Sequence, residues 1–325
     1  MLFVTNRIPI QDPIANNPGR KISFNYQNKD ASRHLYFCER KNKNNYREIG
    51  NQNFFKALKD SSAKQILLYI HGFNNNMEPD VFERTRDLQQ LFDDAEPNLI
   101  QVVPLIWPCD DDSAIQVVDD YWDDQQAADK SGYAFSRLLS KFDDWRKKQA
   151  KLKNPCVKRM NILAHSMGNR VLRNALTTWS KFHTQRTVPQ LFRNTFMVAA
   201  DVVNHTLEDG EDGQWITAAS RNVVVYYAND DLAMPASKLA NLKNRTVSRR
   251  LGMTGPESMS DVPKNVFEVD CDDFNNSIDS PKGHSYFIKK ANVVSPVFHH
   301  MLEAVNTGRV TPDDRSIALN KPEGL

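Results

Sequence analysis

Ser166 stands in the pentapeptide "AHSMG" (164–168), where the apolar run "MNILA" gives way to a segment of helical period. A serine on a sharp strand-to-helix turn projects its hydroxyl away from the backbone. The following helix then aims its free N–H groups at any charge that develops there. Such a turn needs small flanking residues: Gly168 meets this at +2, and Ala164 occupies the −2 position where glycine is usual. A serine at a helix start also serves as a plain N-cap, so the pentapeptide alone leaves both readings open. A nucleophile needs an acid and a histidine, and both follow in chain order. After "VVVYYA" comes "NDDLAMP" with Asp230 and Asp231, and after "VFEVD" and a polar loop comes "GHSYF" with His284. His284 would take the Ser166 proton and return it to the leaving group, while the aspartate would hold the imidazole tautomer and stabilise the imidazolium. The oxyanion needs two donors. One is the N–H of Met167; the other is expected from "HGFN" (71–74), as the N–H of Phe73, with Gly72 letting the backbone approach the ligand.

Positioning these groups takes a series of strands that end at one side. Six apolar runs qualify: 66–70, 100–107, 160–164, 195–200, 223–228 and 266–269. They alternate with segments of helical period, which predicts a mostly parallel central sheet with helices on both faces, an α/β fold. Val81, Leu88, Leu91 and Phe92 fit one helix face, Phe135, Leu138, Leu139 and Phe142 a second, and Val171, Ala175 and Trp179 a third. Near the end, Ser295 and Pro296 read as a helix start and Gly308 as its stop. The expected organisation is one domain over 1–325. Within it, residues 1–60 add edge strands from "KISFNY" and "HLYFCER", residues 109–132 form an acidic lid-like insertion, and residues 309–325 form a polar tail.

With these motifs assembled, the chain resembles an uncharacterised bacterial α/β-hydrolase family marked by H-G-[FY]-N, a W-P strand end and A-H-S-M-G-N. Here they read "HGFN" (71–74), "IWP" (106–108) and "AHSMGN" (164–169), followed by "YYANDDLAMPAS", "RLG" (250–252) and "GHSYF" (283–287). The resemblance spans roughly residues 65 to 290 and implies an α/β-hydrolase fold with Ser166 as nucleophile, His284 as base and Asp231 as acid. The family has no settled substrate, so the resemblance implies a mechanism and leaves the biology open.

Other residues compete for roles. Asp201 ends the run "TFMVAA" and is an alternative acid, or a residue lining the pocket. His71 and Asn74 are candidate pocket residues, although His71 also reads as a hydrogen bonder that shapes its loop. His165 adjoins the serine and is read as structural, because the elbow turns neighbouring side chains in different directions. Residues 109–129 carry eight aspartates; as a lid they would disfavour anionic substrates, with Tyr121 and Trp122 lining the site. Their spacing is not that of an EF-hand loop, and adjacent His299 and His300 do not face each other on a helix, so no metal is expected.

Forty-two basic and 40 acidic residues nearly cancel, leaving no global field to recruit nucleic acid or a membrane. The basic runs at 146–159 and within 238–250 lack interleaved aromatics and read as solvated faces. The four cysteines lie far apart and are expected to be reduced thiols. No apolar stretch approaches the roughly 20 residues of a spanning helix, and no signal peptide is evident, so a cytoplasmic location is expected. The sequence thus points to a serine esterase or lipase-like hydrolase acting on a small-molecule or lipid ester, without cofactor and with its oligomeric state open. The alternatives are an acyltransferase using the same triad and an inactive binding protein.

Overall fold

All six apolar runs form strands, and five further strands join them in one eleven-stranded sheet. The computed structural model describes residues 1–26, 30–109, 117–182, 187–233 and 249–324, with the backbone alone for 117–123. In chain order the strands are β1 (Leu2–Arg7), β2 (Lys21–Ile22), β3 (Ala31–Asn42), β4 (Asn45–Glu48), β5 (Gln65–Ile70), β6 (Ile100–Ile106), β7 (Arg159–His165), β8 (Phe192–Val198), β9 (Ser220–Tyr227), β10 (Val266–Asp270), β11 (Lys289–Lys290), β12 (Val293–Val294) and β13 (Ser316–Ala318). The helices are α1 (Gly50–Asp60), α2 (Phe82–Ala95), α3 (Val117–Gln149), α4 (Gly168–Phe182), α5 (Gln214–Ala219), α6 (Leu251–Thr254), α7 (Asn275–Ile278) and α8 (Pro296–Thr307).

The sheet runs β13-β10-β9-β8-β7-β5-β6-β1-β3-β4-β2. From β13 to β1 every neighbouring pair is parallel, and β3, β4 and β2 then add antiparallel pairs at one edge. Strand β5 is buried at every residue, as a strand covered on both faces must be. One apolar layer holds α1, α3 and α4 against the sheet, and the other holds α2 and α8. The chain leaves β5 towards β6 on one side and returns to β7 on the other. That reversal opens a crevice beyond the C-terminal ends of β5 and β7, where ligands bind in open α/β sheets.

Three segments depart from the sequence reading. The N-terminal extension contributes four strands and α1, and "KISFNY" supplies only Lys21–Ile22 as a strand. Strand β1 was hidden because its second half, Thr5, Asn6 and Arg7, is polar yet fully buried. Thr5 Oγ1 donates to the Ile106 carbonyl at 2.8 Å, and Asn6 Nδ2 donates to Ser131 Oγ at 2.9 Å. The segment 309–325 is more than a tail: β13 pairs with β10 from Glu268–Ser316 to Asp270–Ala318, a strand too short to show a period. Finally, helix α3 begins at Val117, so the second part of the expected insertion is the first half of a 33-residue helix. Aspartates 119 and 120 sit in its first turn, where the helix dipole favours negative charge. Further along, Asp124, Ala127, Ala128 and Ser131 are buried. Residues 110–116 of that insertion lie outside the described residues.

The closing helix α8 starts at Ser295, whose hydroxyl accepts the Val297 N–H, and stops at left-handed Gly308 (φ 71°). Its last carbonyls dock onto a buried amide ladder that crosses the sheet. Asn161 Nδ2 donates to Gln65 Oε1 (3.2 Å), Asn194 Nδ2 to Asn161 Oδ1 (2.8 Å), and Asn222 Nδ2 to Asn194 Oδ1 (2.8 Å). The same ladder donates to the Ala304, Val305 and Gly308 carbonyls. Helix-end acceptors that would otherwise be buried without partners are thereby satisfied.

Beyond β5, His71 is fully buried and stacks flat on Trp107, with ring centroids 5.1 Å apart and 4° between planes. Its Nε2 accepts the Trp107 N–H at 3.2 Å, and its Nδ1 donates to the Gly72 carbonyl at 2.9 Å. Burial pushes its pKa down to about 3, so the ring is neutral.

Two stability predictions follow from these contacts. Asn194→Leu removes the centre of the ladder, and we expect a loss of about 2–4 kcal/mol in urea unfolding from the stranded buried partners. An unfolded histidine titrates near pH 6.5 whereas folded His71 stays neutral down to about pH 3. Its contribution is therefore complete above pH 6.5 and is lost as pH falls through that window, at up to about 1.4 kcal/mol per pH unit. Urea midpoints measured from pH 7.5 to 4.5 should fall less steeply in His71→Gln than in the native chain.

Candidate active site

Strand β7 ends at His165, α4 begins at Gly168, and between them Ser166 adopts a left-handed backbone (φ 53°). That conformation is strained for a side-chain-bearing residue and persists only where surrounding contacts impose it. Here the Ser166 N–H donates to the Val198 carbonyl at 2.9 Å. The Ser166 carbonyl accepts the N–H groups of Asn169 (3.0 Å) and Asp201 (3.2 Å) and also Asn169 Nδ2 (3.1 Å). Two glycines leave the space this requires. A Cβ on Gly168 would lie 2.6 Å from the His71 carbonyl oxygen, and one on Gly72 would lie 2.9 Å from Ser166 Cβ. The loops after β5 and β7 are thus in direct contact, with Ser166 6% exposed between them.

Asp231 and His284 come together from the loops that follow neighbouring strands β9 and β10. His284 Nδ1 lies 2.6 Å from Asp231 Oδ2, and Asp231 Oδ1 accepts the Ala233 N–H at 2.9 Å. Beside a carboxylate Nδ1 carries the proton and donates it, leaving Nε2 as the acceptor. Asp231 is buried, while the imidazole keeps 15% exposure. His165 Nε2 donates to the His284 carbonyl at 3.2 Å, and the two rings lie 4.8 Å apart. The residue before Ser166 therefore holds the main chain of His284 beside the elbow. Burial, with the adjoining His284 second, keeps the His165 pKa well below the usual histidine value, so this ring is a neutral spacer.

The other two aspartates are engaged elsewhere. Asp230 accepts Asn275 Nδ2 at 2.6 Å and is bonded by Asn276 Nδ2, which ties its loop to α7. Asp201 is buried against Arg250, with Nε 3.3 Å from its carboxylate. The "RLG" segment lies flat across the end of β8. Gly252 N–H donates to the Ala200 carbonyl at 2.9 Å, and a Cβ there would lie 2.2 Å from the Ala199–Ala200 peptide.

In the loop after β5, the Gly72 carbonyl accepts from His71 Nδ1 (2.9 Å) and Asn75 Nδ2 (3.2 Å), and Cys109 Sγ lies 3.8 Å away. Carbonyl and N–H point in opposite directions across a trans peptide, so these partners turn the Phe73 N–H the other way. Met167 is buried at the start of α4. Asn74, exposed at the loop surface, bends the same loop through a left-handed backbone (φ 56°). His71 is fully buried against the Trp107 ring, where its hydrogen bonds shape the loop. Tyr121 and Trp122 belong to α3, and their side chains lie outside the described residues.

Sequence reasoning missed Asp279. Its Oδ2 accepts the N–H groups of both His284 (2.9 Å) and Ser285 (2.7 Å), fixing the loop that carries the imidazole. It also missed Asn75, Cys109 and Arg250 as supports. An aspartate four residues before a glycine-histidine turn was the only signal for Asp279.

The family model described as "Alpha/beta hydrolase of unknown function (DUF900)" matches residues 47–304. No curated protein matches the chain. Among solved structures, the crystal structure of esterase PE8 is similar at 12% identity and a TM-score of 0.30, covering 57% of this chain and 81% of that chain. Among the described residues, no helix is long and apolar enough to cross a membrane. The family match takes in the loops bearing Gly72, Ser166, Asp231 and His284, and the chain belongs to the family of alpha/beta hydrolases of unknown function.

Proposed function

We propose that the protein is a serine hydrolase of carboxylic esters, small-molecule or lipid, that works through an acyl-enzyme. The observation that carries this reading is the 2.6 Å contact of Asp231 with His284, whose carbonyl is bonded by His165, the residue before a serine held at φ 53°. Ser166 Oγ attacks the ester carbonyl as His284 Nε2 takes its proton, and buried Asp231 stabilises the imidazolium that forms. The carbonyl oxygen becomes an oxyanion facing the N–H groups of Met167 and Phe73, each such donor being worth about 3 kcal/mol in the transition state. The imidazolium gives its proton to the departing alkoxide, leaving an acyl-Ser166 ester. Water then attacks that ester, His284 takes the water proton, and collapse returns it to Ser166 Oγ with release of the carboxylic acid. Nothing in this course calls for a metal or organic cofactor.

A fluorophosphonate probe reports on the first step. The native protein should be labelled at Ser166, and Ser166→Ala and His284→Ala should each abolish labelling; a native protein that stays unlabelled and hydrolyses no ester in a chain-length series would refute the proposal. The two neighbouring aspartates separate by duty. We expect Asp231→Asn to lower kcat by roughly 10³–10⁴, since the wrong imidazole tautomer is then favoured. Asp230→Asn should stay within about tenfold of native, because its carboxylate only braces the loop. Equal losses in the two variants would reassign the acid.

A further inference from the structure

Strands β7, β8 and β9 start side by side at the end of the sheet remote from Ser166, about 20 Å away along β7. Arg159 is the first residue of β7, and Arg193 and Arg221 are the second residues of β8 and β9. The register pairs Phe192 with Ser220 and Asn194 with Asn222, which sets Arg193 directly opposite Arg221. Lys158 precedes β7, and Arg146 reaches over from the end of α3. The five cations line one cleft of about 290 Å³ with an apolar floor that includes Met160 and Leu191, and no carboxylate lines it.

Like charges directly opposite each other in a sheet are destabilising unless something offsets them. Arg146 has Asp143, at 2.9 Å, and Lys158 donates to Ser61. Arg159, Arg193 and Arg221 make no ion pair among the described residues. Arg193 Nη1 is buried without a hydrogen-bond partner. Burial and the charges of Arg159 and Arg221 push the Arg193 pKa down, the direction expected where repulsion is uncompensated. Guanidinium groups present planar forks that match phosphate oxygens, and converging cations favour a ligand with more than one negative charge.

We infer that this cleft is a binding site for a small polyanion carrying two or more phosphate groups, separate from the proposed catalytic centre. The phosphates could belong to a soluble molecule or to a lipid headgroup. The site does not depend on the esterase reading, since it shares no residue with it.

The test is calorimetric titration of the native chain with pyrophosphate at low ionic strength, beside the double variant Arg159→Gln/Arg221→Gln. Both side chains are exposed, so the variant should fold. We expect one saturable site that weakens as salt is added, at least tenfold weaker in the variant. Without ligand, the variant should melt at the same temperature as the native chain or higher, because repulsion is relieved. Co-sedimentation with phosphatidylcholine vesicles, with and without phosphatidylinositol bisphosphate, distinguishes the sources. Capture lost in the variant points to a headgroup, and pyrophosphate binding without capture points to a soluble ligand. No saturable heat up to millimolar pyrophosphate, or equal affinity in the variant, would overturn the inference.

Discussion

The left-handed backbone of Ser166 is the constraint on which the rest of the site depends. It costs roughly 1–2 kcal/mol for a residue with a side chain, and four hydrogen bonds hold it there, one donated to the Val198 carbonyl and three accepted from the Asp201 N–H and both amide groups of Asn169. Those partners belong to the end of β8, the loop beyond it and the first turn of α4. The conformation therefore exists only once β7, β8 and α4 have docked. Docking in turn sets the glycines. Gly168 is where α4 meets the carbonyls of Ile70 and His71, and Gly72 is where the next loop passes Ser166 Cβ. A side chain at either point would push apart the two loops that the crevice between β5 and β7 brings together.

From that fixed point, the acid and base loops are held by residues that do no chemistry in the proposed reaction. Asp230 and Asp279 have the same functional group as Asp231, yet their surroundings give them other work. Asp230 binds the amides of Asn275 and Asn276, and Asp279 binds two backbone N–H groups around His284. A further bond from Leu232 N–H to the Lys282 carbonyl, at 2.9 Å, joins the loops directly. Gly283 (φ 61°) belongs to the same brace, because a Cβ there would lie 2.5 Å from Asn276 Oδ1. The glycine before the histidine in "GHSYF" thus has a steric reason. So does the glycine of "RLG", which lies against the Ala199–Ala200 peptide.

What could be read in the sequence depended on whether the signal was periodic or contextual. Strands buried on both faces, such as "ILLYI" and "VVVYYA", announce themselves by continuous apolar residues, and α8 by Ser295-Pro296 at one end and Gly308 at the other. Strand β1 did not, because Thr5, Asn6 and Arg7 are buried polar groups whose partners are distant in sequence. The N-terminal half of α3 was obscured by aspartates, which read as loop residues although a helix start favours them. In the site, Ser166, His284 and a choice of aspartates were visible from chain order alone. Which aspartate faces the imidazole was not, since Asp230 and Asp231 are adjacent and only the folded loop turns one inward. Supports such as Asp279 and Arg250 carry no local signature, because their partners lie on main chain or on other elements.

The opposite end of the same strands shows how differently polar residues are accommodated one position apart. Asn194 and Asn222 hand hydrogen bonds along the ladder and finish the carbonyl end of α8, so their burial is offset within the fold. Their immediate neighbours Arg193 and Arg221 stand opposite each other in the register, with the Arg193 guanidinium against Gly308 at the carbonyl end of α8. Shape alone could fill that edge with neutral side chains at lower electrostatic cost. The asparagines are therefore explained by what they hold together, whereas the arginines leave a repulsion that the inferred polyanion would relieve.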